Sequence, residues 1–292
     1  MAKTPTTAAE KPETDENLPA VQARGAAPAH LQDDLEEFSG AGMSDRQQDF
    51  LLPFLYVAQS NSPQLKRQQG DKFIPGLEAG DIFNTATGKF WRGSEGVLVL
   101  PAYFQTAEVE WITRKAGGGY VATHQSDDPI VRTARANPAD PRERLLPVGP
   151  DGKLHQLVDT RYHFVILADE LSPAVIGLTS TGLQVSRQWN TLMREFKLRN
   201  SHGQMVTAPS WSRAYRIKTV YRTNDQGDWF QIVVSDEGWS TPEQEDARVM
   251  ARQFFREARE RGVVLGRPPE TDTVATPHND DESGIDDSDI PI

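Results

Sequence analysis

The run Ala214-Tyr215-Arg216-Ile217-Lys218-Thr219-Val220-Tyr221-Arg222-Thr223 alternates two kinds of side chain, and Trp229-Phe230-Gln231-Ile232-Val233-Val234-Ser235 follows it after Asn224-Asp225-Gln226-Gly227-Asp228. Successive side chains on a strand point to opposite faces. Arg216, Lys218 and Arg222 therefore share one face with Ala214 and Val220, while Tyr215, Ile217, Thr219 and Tyr221 share the other. The Asn, Asp and Gly cluster between two β-rich runs is a hairpin signal. This hairpin is the element against which the rest of the chain is placed.

Upstream of it, Val185, Trp189, Leu192, Met193 and Phe196 recur on one apolar face and predict a helix over 183–198. The strongly apolar run 162–168 reads as a central strand, with 175–178 beside it. Residues 97–104 and 109–114 predict two further strands, and Gly117, Gly118 and Gly119 turn the chain into another over 120–123. Short strands around Ile82, Phe83, Phe90 and Trp91 are punctuated by Gly76, Gly80, Gly88 and Gly93. The stretch 127–152, heavy in Pro, Asp and Arg, reads as one long loop. Downstream, Thr241 as N-cap, Pro242 at the first helical position and Gln244 completing a capping box open a helix that runs to Arg261 and stops at Gly262. Strands, one helix and a closing hairpin in that order match the OB-fold, a small barrel that commonly binds oligonucleotides. The expected fold class is therefore α+β, mainly β: an OB-fold-like β-barrel with additional strands and helices.

Charge divides the chain into three. The formal net charge is -11, yet residues 1–50 carry 4 Lys/Arg against 10 Asp/Glu and residues 268–292 carry 8 Asp/Glu with no Lys or Arg. The middle is left mildly basic, as a nucleic-acid binder requires. Residues 1–48, with Pro5, Pro12, Pro19 and Pro28 among small and charged residues, read as a disordered acidic arm. Residues 49–267 form the expected nucleic-acid-binding domain, and 268–292 a disordered acidic tail. Cysteine is absent, which excludes disulfides, thiolate zinc sites and a Cys nucleophile. No stretch approaches the ~20 apolar residues of a membrane span, and the first residues lack the apolar run of a signal peptide. A soluble protein of a bacterial host cytoplasm is the expectation.

Binding single strands without reading sequence needs cations along the phosphates and flat rings against the bases. The hairpin strand offers Tyr215, Arg216, Lys218, Tyr221 and Arg222. Elsewhere an aromatic residue repeatedly adjoins a cation: Trp91 with Arg92, Trp111 with Arg114 and Lys115, Tyr120 after the three glycines, and Trp211 with Arg213. The two faces of one strand do not touch the same ligand, so the Tyr face has core packing as its alternative reading.

The chain closes on Asp286, Asp287, Ser288, Asp289, Ile290, Pro291 and Ile292. An acidic segment with a small apolar end suits capture in an Arg-rimmed apolar pocket on another protein. This segment resembles the C-terminal tip of phage and bacterial single-stranded DNA-binding proteins, which end in acidic residues followed by Ile-Pro-Phe; Ile292 stands where that family has Phe. The resemblance covers the tip alone. It implies a non-enzymatic protein of phage or plasmid DNA replication and recombination that coats single-stranded DNA and recruits replication or repair proteins through Asp286, Asp287, Asp289, Ile290, Pro291 and Ile292, as a possible homo-oligomer.

Two rival readings stand beside it. Glu108, Glu110, Asp127 and Asp128 supply carboxylates that suit Mg²⁺ in a nuclease, although Glu at alternate strand positions more often marks the wet face of a sheet. A virion or interaction protein that ignores DNA is the other. The sequence contains no Walker-type phosphate loop, no His-Glu-x-x-His and no Gly-x-Ser-x-Gly. No cofactor and no metal is expected.

Overall fold

A computed structural model describes residues 52–265 apart from 136–143, 150, 226 and 264. The expected arms at 1–48 and 268–292 lie outside the described residues, and so do Asp286, Asp287, Asp289, Ile290, Pro291 and Ile292.

The strands are β1 (Leu55–Val57), β2 (Ile82–Asn84), β3 (Phe90–Trp91), β4 (Val97–Ile112), β5 (Tyr120–His124), β6 (His155–Leu167), β7 (Ser172–Leu178), β8 (Lys197–Arg199), β9 (Met205–Thr207), β10 (Arg213–Asn224) and β11 (Gly227–Trp239). The helices are α1 (Pro129–Arg135), α2 (Gly182–Glu195) and α3 (Glu245–Arg261). The protein is α+β and mainly β.

A six-stranded sheet dominates, in the order β11-β10-β4-β6-β7 with β5 also on β4. Its neighbours all run antiparallel. β4 is its spine. The two strands expected over 97–104 and 109–114 are one strand of 16 residues, because Gln105, Thr106, Ala107 and Glu108 between them keep their pairing with β6, whose register shifts only between Pro101 and Tyr103. A bulge there accommodates the N–H that proline lacks. β6 covers one edge of β4, while the other edge holds β10 at Val97–Val99 and β5 at Glu108–Trp111.

The expected barrel does not close among the described residues: β11 and β7 are the outer strands of an open sheet. The reason is apolar burial on both faces, where a small barrel encloses only one. Val97, Val99, Val165, Leu167, Ile176, Tyr215 and Ile217 pack against Val185 and Trp189 of α2 and against Leu55 and Ile82 of the small sheet β1-β2-β3. On the opposite face, Leu100, Ala102, Ile166 and Ala214 receive Ala247 and Ala251 of α3. Alanine at those positions lets the helix lie close, and its start is fastened where the Thr241 N–H donates to Gln244 Oε1 at 3.0 Å.

Three local expectations are revised. α2 stops at Glu195 because Phe196 leaves the helical path and sets its ring 5.9 Å from Trp239. The turn is tighter than the sequence suggested, since Asn224 already pairs with Gly227. The supposed loop over 127–152 contains α1, which buries Val131 and Ala134.

Candidate nucleic-acid interface

Alternation within β10 settles which side chains can meet a ligand. Tyr215 and Ile217 point into the core under α2, and burial pushes the Tyr215 hydroxyl up to about 12. Arg216, Lys218, Val220 and Arg222 point to the other side, beyond the stretch that α3 covers. Pairing with β11 sets Ser235 opposite Arg216, Val233 opposite Lys218, Gln231 opposite Val220 and Trp229 opposite Arg222. Directly opposed residues share a face with Cβ atoms about 5 Å apart, so Arg222 and the half-buried Trp229 form a cation and ring side by side. Arg216 is engaged, its Nε 3.1 Å from Glu237 Oε1. Lys218 and Arg222 make no ion pair with another described residue.

The loop before β4 and the turn before β2 fix this strand in place. The Thr219 N–H donates to the Gly93 carbonyl at 3.0 Å and its hydroxyl to the Gly80 carbonyl at 2.6 Å. Gly96 has φ +73°, and a Cβ there would collide with the Ile217 carbonyl oxygen, so only glycine lets the loop approach.

The remaining predicted residues do not join this face. Arg213 is held by Asp236, with contacts of 2.9 and 2.7 Å to Oδ2, and lies between the rings of Phe196 at 3.5 Å and Trp239 at 4.9 Å. It clamps the strand end. Arg92 pairs with Asp81 at 2.6 Å, and Trp91 packs against the core beside Lys89, 5.4 Å from its ring. Tyr221 is 58% exposed but on the opposite side of the hairpin, edge-on to Phe230. Trp211 lies 5.3 Å from Phe255 beside α3. Trp111 and Tyr120 meet edge to face at 5.8 Å, near exposed Arg114 and Lys115. That group sits at the far end of β4, Trp111 lying 12 residues or about 40 Å along the strand from Val99 at the β10 junction. Trp229 was not foreseen; counting register back from a two-residue turn would have found it opposite Arg222.

Of the carboxylates weighed for a metal, Glu108 and Glu110 are buried and engaged, whereas Asp127 is exposed and the half-buried Asp128 accepts from the Gln125 N–H at 3.0 Å. Glu108 accepts from Arg144 at 2.7 and 2.8 Å and from Arg135 at 2.8 Å. Glu110 sits between His155 at 2.6 Å and His124 at 2.7 Å. The wet-face expectation for this pair fails, because α1 and the segment at Arg144 cover it. The hydrogen bond to Glu110 raises the His155 pKa above its ordinary value. Among the described residues no cluster of His, Asp and Glu is arranged to hold a metal ion, and no helix is long and apolar enough to cross a membrane.

A search of the curated proteins returns no match, and neither does a search of the solved structures. A family model described as Pam3 phage gp34-like protein matches residues 21–263, a span that takes in every described strand and helix. On that match, this chain belongs to the Pam3 phage gp34-like protein family.

Proposed function

We propose that this phage-family protein binds single-stranded DNA without reading its sequence, in replication or recombination of phage DNA. The observation that carries the reading is the solvent-facing side of β10–β11, where Lys218 and Arg222 have no partner among the described residues and Arg222 is registered opposite Trp229. Phosphates take the cations and a base takes the indole face. Helper proteins are recruited through Asp286, Asp287, Asp289 and the apolar Ile290, Pro291 and Ile292. The family's phage origin supports the setting. An OB barrel is not part of the reading, since a charged hairpin face does not require one.

The test is titration of labelled oligo-dT with the full chain at several salt concentrations. Each phosphate contact contributes a slope of about -0.7, so two free cations predict roughly -1.4. K218E/R222E is expected to flatten that slope and weaken binding about ten-fold or more. Trp229→Ala is expected to cost about 1–3 kcal/mol. A full chain that ignores oligo-dT at low salt, or charge-reversed variants that bind it equally well, overturns the proposal.

A further inference from the structure

On the side of α3 away from the sheet, Arg252, Arg256 and Arg259 recur at four- and three-residue spacing and so form one stripe. Together with Glu260 they rim a cleft of about 540 Å³ whose floor is Trp211 and Phe255. All three arginines are exposed, and none makes an ion pair with another described residue. A favourable interaction with the helix C-terminus accounts for Arg259. It does not account for Arg252 and Arg256, which stand one turn apart further up the helix, where like charges at that spacing repel. The floor is apolar, because the Phe255 ring packs against Trp211 at 5.3 Å and Tyr103 at 6.3 Å. Rings already packed at a tilt against one another offer a greasy surface more than an open stacking platform for bases.

An occupant for such a cleft must be anionic and carry a small apolar group. Residues 280–292 of this chain have that composition: Asp280, Asp281, Glu282, Asp286, Asp287 and Asp289 accompany Ile285, Ile290, Pro291 and Ile292. They also reach. Leu265 is packed beside the sheet, and the 14 residues of 266–279 span up to about 50 Å. The whole of α3 is only about 26 Å long. We propose that the acidic segment 280–292 docks in the cleft of its own chain, with its carboxylates on Arg252, Arg256 and Arg259 and an isoleucine on Trp211 and Phe255. The segment is thereby held off the hairpin face and away from other proteins until something displaces it. The inference does not depend on the DNA-binding reading.

The test uses a labelled peptide of residues 280–292 and full-length chains. A chain with Ile290→Ser and Ile292→Ser in its own segment is expected to bind the peptide about ten-fold or more tightly than the natural chain, whose cleft is already filled. Adding R252E/R256E to that variant is expected to abolish binding. A peptide with Asp286, Asp287 and Asp289 changed to Asn is expected to lose binding to the same unaltered cleft, a readout independent of the folding of the arginine variant. Equal binding by the natural and Ser-substituted chains, or peptide binding indifferent to R252E/R256E, overturns the proposal. So does a result in which R252E/R256E removes oligo-dT binding and leaves peptide binding intact. Loss of oligo-dT binding in K218E/R222E with peptide binding retained shows the two sites to be separate; peptide binding by a chain that ignores oligo-dT removes the DNA reading alone.

Discussion

His163 lies stacked on Trp189 at 4.4 Å, with its Nε2 2.8 Å from Ser186 Oγ, and burial holds its pKa down to about 3. An imidazole in the unfolded chain protonates near 6.5. A base with a depressed folded pKa stabilises the fold above the unfolded value and loses that contribution as pH falls towards 3, at up to about 1.4 kcal/mol per pH unit. His155 acts with the opposite sign: its pKa is raised by Glu110, so its contribution is complete below about 6.5 and is lost at higher pH. The natural protein is therefore expected to lose urea stability between pH 6 and 4 more steeply than His163→Gln, which keeps a polar group for Ser186 but does not titrate there. Parallel pH curves for the two proteins contradict this account of the acid limb.

At the next level, β11 is an outer strand whose backbone would ordinarily invite a further strand, and Gln59 closes it at one point. The Phe230 N–H donates to Gln59 Oε1 and the Gln59 amide donates to the Phe230 carbonyl, both at 2.8 Å, so a side chain imitates a neighbouring strand. Gln59→Ala removes two hydrogen bonds, about 1–2 kcal/mol, and reopens the edge. Lower thermal stability together with concentration-dependent association in sedimentation is the expected outcome; a variant that stays monodisperse with unchanged stability refutes it. Local pattern revealed much of this architecture. Alternation gave the two faces of β10, and Thr241, Pro242, Gln244 and Gly262 bounded α3. What escaped was set by distant partners. The break expected between 104 and 109 is absent because Gln105 to Glu108 pair with Tyr162 to Asp159 of β6, more than 50 residues on. The glutamates of β4 looked solvated because Arg135 and Arg144, which bury Glu108, lie 27 and 36 residues away. The stripe on α3 became a cleft only when Trp211, 41 positions before Arg252, was brought beside it.

For the molecule as a whole, the two candidate surfaces are the hairpin face of β10–β11 and the flank of α3, and β10 joins the first of them to the sheet. That junction is reached late. Val99 pairs with Leu167 on one side and with Tyr215 on the other, so its second edge waits for residues made 48 positions later. At ribosomal speeds of about 5–20 residues per second, the wait lasts roughly 2–10 seconds. During that interval Val97 and Val99 present an uncovered apolar row beside open backbone groups, the condition under which nascent chains aggregate. Synonymous slow codons across residues 168–215 are expected to reduce the soluble yield without altering the finished protein, and an unchanged yield contradicts the idea. The tempo at which the messenger is read thus becomes part of what decides whether this sheet is completed or lost to clumping.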